Sequence, residues 1–205
     1  MIIYNFEQHS EAWHEARAGR VTGTRFASLV SGKTTKGYQD LITDITTEII
    51  TGVRESGYVS ADMEKGTLME PFARNWYAEN IQPVHEVGFI TPDEDSPFSE
   101  WVGISPDGLG DHYGLEIKCP KAKTLLNYIE GGKLPSEYRH QVQGSLWVTK
   151  YEFWDFLAYV EGMKPFLVRV EPDEALFKLY EERLSELIEQ VKNKLEIYNN
   201  YNYED

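Results

Sequence analysis

Three side chains carry the chemistry most legible in this sequence. Asp107 stands in Ser105-Pro106-Asp107-Gly108-Leu109, and Glu116 and Lys118 stand in Gly114-Leu115-Glu116-Ile117-Lys118-Cys119-Pro120. The stretch Leu115–Cys119 reads as a buried strand, in which residues two apart point to one face. Glu116 and Lys118 therefore share a face of an otherwise apolar strand, where two ionised groups are costly to bury without a partner. A cation held by Asp107 and Glu116 supplies one, and carboxylates are hard oxygen ligands suited to Mg²⁺ or Mn²⁺. A metal bound to a phosphate oxygen and a water neutralises developing charge and acidifies that water. Lys118 then orients or deprotonates the water, or stabilises the pentacovalent phosphorus. Cys119 reads as a small buried strand residue, not as a nucleophile.

Around this segment the charge is unevenly spread. The 205 residues carry 20 Lys plus Arg against 34 Asp plus Glu, a formal net charge of −14. Taken whole, that argues against a basic nucleic-acid binder. Divided along the chain it says something else. Residues 85–111 hold acids and no Lys or Arg, whereas residues 16–39 hold Arg17, Arg20, Arg25, Lys33 and Lys36 and no acid. Lys118, Lys121 and Lys123 follow the acidic stretch. Two basic clusters thus bracket a carboxylate-rich segment, as expected of a site that holds metal with acids and phosphate with bases. The basic groups are expected to line a nucleic-acid path, with the acidic excess facing outward.

Several elements must position these groups. Ser10 caps a short helix over SEAWHEAR that stops at Gly19, and a second covers Thr24 to Val30. Lys33–Gly37 reads as a loop. Leu41, Ile42, Ile45, Ile49 and Ile50 recur at helical spacing and place a helix over Tyr38–Thr51. Another spans Ala61–Asn80, with Met69, Phe72, Ala73, Trp76 and Tyr77 facing inward and a kink or new first turn at Pro71. Val84–Ile90 and Trp101–Ile104 read as strands. Helices follow over Lys121–Glu130 and Ser136–Val148, then a hairpin of Glu152–Glu161 and Phe166–Val170. A C-terminal helix, 173–198, lays an apolar stripe on the body and leaves a frayed tail. The expected architecture is one α/β domain over 1–205, with a mixed central sheet of about five strands flanked by helices. No apolar run is long enough to span a membrane. The start carries no secretory pattern, and a single cysteine fits a reducing cytoplasm.

Pro106-Asp107 followed by Glu116-Ile117-Lys118 is similar to the signature of the PD-(D/E)xK nucleases. Further strings sharpen the likeness: Trp13-His14-x-x-Arg17-x-Gly19-x-x-Thr22, Glu70-x-x-Ala73, and Gln141-Val142-Gln143-x-x-Leu146-Trp147. Together, and in this order, they resemble lambda exonuclease and related phage recombination exonucleases over about residues 10–150. The resemblance implies a restriction-endonuclease-like core and Mg²⁺-dependent (or Mn²⁺-dependent) 5′→3′ degradation of one strand of duplex DNA, with two metal ions. It implies Asp107, Glu116 and the Ile117 carbonyl as metal ligands, Lys118 as the catalytic lysine and Glu70 as a helix carboxylate near the metals. It places a 5′-phosphate pocket on Arg17, Thr24, Ser105 and Gln141. Thr24 stands where the family has serine, keeping the hydroxyl and adding a methyl. Lys33 and Lys36 become candidates for DNA-backbone contact. His14 belongs to the motif as a structural residue.

The same resemblance implies a homotrimeric ring threaded by DNA ends and a phage-type single-strand annealing protein as partner. It also implies a phage- or prophage-encoded protein working in the bacterial cytoplasm. Two alternatives stay open at this level. One is another PD-(D/E)xK nuclease, a restriction-like endonuclease or repair enzyme. The other is a non-catalytic scaffold that binds DNA ends.

Overall fold

The computed structural model describes residues 1–54 and 61–202, the side chains of 61–63 excepted. The expected tail therefore ends, at 203–205, outside the described residues. In chain order the elements are β1 (Ile2–Tyr4), α1 (Glu11–Arg17), β2 (Val21–Thr22), a 3₁₀ turn (Gly23–Arg25), α2 (Phe26–Leu29), α3 (Lys36–Thr51) and α4 (Ala61–Asn80). Then come β3 (Phe89–Thr91), β4 (Val102–Gly103), β5 (Gly108–Leu109), β6 (Tyr113–Lys118) and α5 (Ala122–Gly131). A 3₁₀ turn (Ser136–Tyr138), α6 (Arg139–Thr149), β7 (Phe153–Ala158), β8 (Phe166–Val170) and α7 (Glu174–Asn199) complete the chain.

The centre is a mixed four-stranded sheet in the order β5-β6-β7-β8. β6 and β7 are parallel, joined by a crossover through α5 and α6, while β5 and β8 pair antiparallel on either side. Two short ribbons, β1-β3 and β2-β4, extend the architecture. Bridges from His85 to Leu109 and from Ile90 to Ile104 tie them in. A large core under α2, α3, α6 and α7 includes Phe26, Ile42, Ile45, Trp147, Trp154, Phe156, Tyr180 and Leu184. On the other face, Ala73 and Tyr77 of α4 pack on Leu115, Ile117 and Leu157. The strand expected at Leu115–Cys119 runs over Tyr113–Lys118 and leaves Cys119 half-buried past its end, while Phe166–Val170 and the long C-terminal helix stand where their apolar patterns put them.

Five expectations need correction. The run Val84–Ile90 is a strand only from Phe89, because its earlier carbonyls are taken by side chains: Gln8 donates to the Val87 carbonyl at 2.8 Å and Trp13 to that of Gly88 at 3.1 Å. The segment Thr24 to Val30 is not one helix; a 3₁₀ turn over Gly23–Arg25 precedes the four-residue α2. Phe72 is 61% exposed. It lies about 100° round the helix from Ala73, and α4 buries only the narrow stripe that meets β6. Ile49 and Ile50 of α3 are also exposed, and the buried position beside them is taken by Glu48. α4 runs unbroken through Pro71. No helix among the described residues is long and apolar enough to cross a membrane.

Candidate functional site

The antiparallel pairing of β5 with β6 builds the acidic part of the site. Gly108 opposes Leu115 and Leu109 opposes Gly114, so Asp107, one residue before β5, falls opposite Glu116. Its Oδ2 accepts from the Ile117 N–H at 2.6 Å, and its carbonyl accepts from Arg74 of α4. Arg74 is held in turn by Glu86 at 2.8 Å. The bend before Asp107 is fixed by Gln8, which donates to the Pro106 carbonyl at 3.0 Å.

Glu116 is 2% exposed. Its Oε1 accepts from Lys118 Nζ at 2.5 Å and from Gln141 Nε2 of α6 at 2.5 Å. Lys118 also stands 5.5 Å over the Tyr138 ring. Glu70 approaches from α4. Burial, then the Asp107 charge, raises its pKa to about 7 against the pull of Lys118 and Arg74. Burial likewise lifts Glu116 to about 7, with Lys118 opposing the rise and Asp107 and Glu70 adding to it. Asp107 is raised by burial too. Burial works to discharge Lys118, but Glu116 and Asp107 outweigh it and keep the ammonium protonated above the usual lysine range. Burial, then Glu70 and Asp107, pushes the half-buried Cys119 thiol up to about 12, which leaves it inert at neutral pH.

Three carboxylates whose pKa values are all raised, chiefly by burial, indicate a shortage of positive charge. A divalent cation answers that need, and the donors are hard oxygens. Among the described residues, no group of three or more His, Cys, Asp or Glu side chains is placed to hold a metal ion. Mg²⁺ does not ask for such a group, since it keeps several waters and takes one or two carboxylates plus substrate oxygens. Asp107 and Glu116 therefore fit the ion, with the Ile117 carbonyl and Glu70 within the same site. Glu70, Lys118, Cys119, Tyr138 and Tyr159 line an open cleft of about 800 Å³.

The basic part of the site adjoins it. Arg17, at the end of α1, donates to Ser105 Oγ at 2.9 Å and lies 4.0 Å over the Trp13 ring. Trp13 Nε1 donates to the same hydroxyl at 2.9 Å. His14 packs edge-on against Trp13. Gln141 lies against Gly23, where an added Cβ would meet its Cγ at 3.3 Å. Thr24, next in the turn, is exposed. Gln141 thus touches both the turn that carries Thr24 and the Glu116 carboxylate. Gln143 is used elsewhere: it donates to the Glu171 carbonyl at 2.8 Å and accepts from the Asp173 N–H at 2.9 Å. Lys33 and Lys36 are not joined to this cluster. Lys33 pairs with Glu186 of α7 at 2.6 Å, and Lys36 pairs with Asp40 within α3.

Sequence reasoning missed Arg54, Glu48 and Arg74. Arg25 forms a two-pronged pair with Glu48, and the Gly19 N–H adds a third bond to that carboxylate at 2.9 Å. Arg54, just past the left-handed Gly52 that ends α3, donates to Thr22 Oγ1 at 2.8 Å. The one available signal was Glu48 itself, an acid one helical turn from Ile45 on a face otherwise apolar.

Residues 12–152 match the YqaJ-like viral recombinase domain. A search among curated proteins returns no match. Among solved structures, the chain is similar to an alkaline exonuclease, LHK-Exo, from Laribacter hongkongensis. They share 32% identity and a TM-score of 0.81, over 93% of this chain and 96% of that one. A structure of LHK-Exo with dAMP gives 32% identity and a TM-score of 0.82, over 92% and 96% of the two chains. A phage related exonuclease from Haemophilus somnus 129PT shares the fold, at 12% identity and a TM-score of 0.61 over 87% and 96%.

Proposed function

The chain belongs to the YqaJ-like viral recombinase domain family and is a nuclease of the lambda-exonuclease type, and from that premise we propose that it is a metal-dependent 5′→3′ exonuclease. On this reading it degrades the 5′-phosphorylated strand of linear double-stranded DNA to mononucleotides. It leaves 3′ single-stranded overhangs for strand-annealing recombination. The observation that carries the reading is the position of Gln141. Its side chain bonds Glu116 at 2.5 Å and abuts Gly23, so the groups proposed to take the phosphate adjoin the carboxylates. A strand end seated on the first set presents its terminal linkage to the second.

In this scheme Arg17 grips the terminal phosphate with its planar fork, and Ser105, Thr24 and Gln141 take remaining oxygens. Asp107 and Glu116, with the Ile117 carbonyl and Glu70, would hold two Mg²⁺ or Mn²⁺ ions. Such ions would offset charge on the scissile phosphate and acidify the attacking water. Lys118 holds the water or a non-bridging oxygen with a proton it does not readily give up. Tyr138, beneath Lys118, limits where the ammonium can swing. Lys33 and Lys36 are candidate contacts to the duplex backbone outside the site. A homotrimeric ring around the product, a phage-type single-strand annealing protein as partner and a bacterial cytoplasmic setting complete the proposal.

The test uses linear duplexes labelled at the 5′ or the 3′ terminus, with and without Mg²⁺, beside a closed circle. The expected result is metal-dependent release of the 5′ label first, as a mononucleotide, with the circle intact. Release from the 3′ end, cutting of the circle or full activity in a chelator refutes it.

A further inference from the structure

Arg17, Arg25 and Arg54 gather round a single carboxylate, Glu48, which is 5% exposed. That carboxylate already accepts three hydrogen bonds. Arg25 occupies both of its oxygens and the Gly19 N–H shares one of them. Among the described residues, Arg17 and Arg54 are left with neutral acceptors, Ser105 Oγ at 2.9 Å and Thr22 Oγ1 at 2.8 Å. The strain of this arrangement shows in Arg17, whose pKa burial, then Arg54 and Arg25, push down to about 9. Arg17 still stays protonated at neutral pH. Among the described residues, three part-buried guanidiniums face the one buried carboxylate of Glu48, with Asp44 a lesser offset to Arg54, and positive charge is left in excess. Such a charge is costly unless an anion is present for part of the working cycle.

The ribbon sets the spacing of the two forks held on hydroxyls. Thr22 is in register with Gly103 across β2-β4, and Ser105 lies two residues further on. The hydroxyls that anchor Arg54 and Arg17 are therefore one strand across and two residues along. That is on the order of 8 Å, which a phosphate held by two guanidiniums can span. A terminal phosphate monoester carries close to two negative charges at neutral pH, whereas an internal diester carries one.

We propose that Arg54 is a second arm of the terminal-phosphate site, closing on the 5′-phosphate dianion from the side opposite Arg17, with Thr22 as its positioning residue. This rests on the reading of Arg17 as a 5′-phosphate ligand. It adds a charge-matched pair that distinguishes a chain end from an internal linkage. Arg25, locked on Glu48, keeps the local potential positive without occupying the pocket.

The experiment measures binding of 5′-phosphorylated and 5′-hydroxyl duplex ends by fluorescence anisotropy, with Ca²⁺ replacing Mg²⁺ to prevent turnover. Wild type, R17A, R54A and R54M are compared at one protein concentration. R54A and R17A are each expected to lower the phosphate-over-hydroxyl affinity ratio by roughly tenfold or more, the scale of a charged hydrogen bond. R54M keeps the aliphatic stem and is expected to lose the ratio equally. A lost contact of purely structural kind would weaken both ends alike and leave the ratio unchanged. If R17A loses the preference while both Arg54 variants keep it, the role given to Arg54 is wrong and the pocket stands. If all three keep it, the pocket itself has been misassigned.

Discussion

Replacing Lys118 by Met removes the ammonium that lies 2.5 Å from Glu116 and keeps most of the stem. Glu116 is then a buried carboxylate with Asp107 and Glu70 nearby and only Gln141 donating to it. Removing one partner of a buried ion pair costs about 3–5 kcal/mol. The Lys118 side chain is 29% exposed, so solvent screens part of the pair, and about 2 kcal/mol is the reasonable figure. For a chain of this size that lowers Tm by roughly 4–8 °C when no divalent ion is present. Mg²⁺ reverses the loss, because ligand at a hundred times its Kd stabilises by about 2.7 kcal/mol. In the wild type an ion competes with the Lys118 ammonium for Glu116; in K118M that competition is gone and the neutral Gln141 amide remains. The Mg²⁺-dependent rise in Tm is thus expected to be larger in K118M than in wild type, even though nuclease activity is lost. Differential scanning fluorimetry with a Mg²⁺ titration measures both quantities. Equal rises in the two proteins, or an unaltered metal-free Tm, refute the charge coupling argued for Glu116 and Lys118.

Three other outcomes follow from the same geometry. In Q141L, Glu116 loses a charged hydrogen bond and the link to the Gly23 turn; kcat is expected to fall about tenfold together with the 5′-phosphate preference, and a fall in only one of them counts against the link. In E48Q, the bidentate anchor of Arg25 is lost in a site already rich in arginine, so unfolding free energy should drop by about 3 kcal/mol, and a urea midpoint matching wild type rules this out. His140 shares a 3.0 Å hydrogen bond with the Tyr180 hydroxyl, and burial, then Arg139, lowers its pKa. Its stabilising contribution is therefore complete above the unfolded value of about 6.5 and is lost as pH falls through the lower folded value. H140Q should flatten that decline, and parallel pH–Tm curves for the two proteins show the linkage to be absent.

What could be seen in the sequence depended on how local the determinant was. The grouping of Asp107, Glu116 and Lys118 is set by one hairpin register, and alternation along a strand is readable from residue types alone. α7 was readable because its apolar stripe recurs over many turns. The short ribbon strands β1 and β2 were not. With two or three residues each they have no period to detect, and they exist because β3 and β4 offer them partners. The inward face of α4 was drawn too wide, since pattern alone does not say that β6 covers only Ala73, Tyr77 and their neighbours. Arg54 was invisible for another reason. It follows a helix end with no pattern around it, and it becomes notable only once the fold brings β2 beside it.

The link between β5 and β6 has a consequence for how such sites diversify. The chain joining Asp107 to Glu116 leaves through Leu109, turns at the exposed pair Asp111 and His112, and returns through Tyr113. The turn sits at the far end of the hairpin from the two carboxylates. Extra residues inserted there lengthen an exposed turn, at the cost of its bond from the Glu152 N–H to the His112 carbonyl, and leave the pairing of Gly108 with Leu115 intact. The number of residues separating the two acids in a linear motif is thus a loose variable, while their separation in space is a tight one. Comparisons that score this gap by its length will overlook relatives that a register-based comparison would recover. The same turn is a place where a tag or reporter domain can be grafted without parting the two acids.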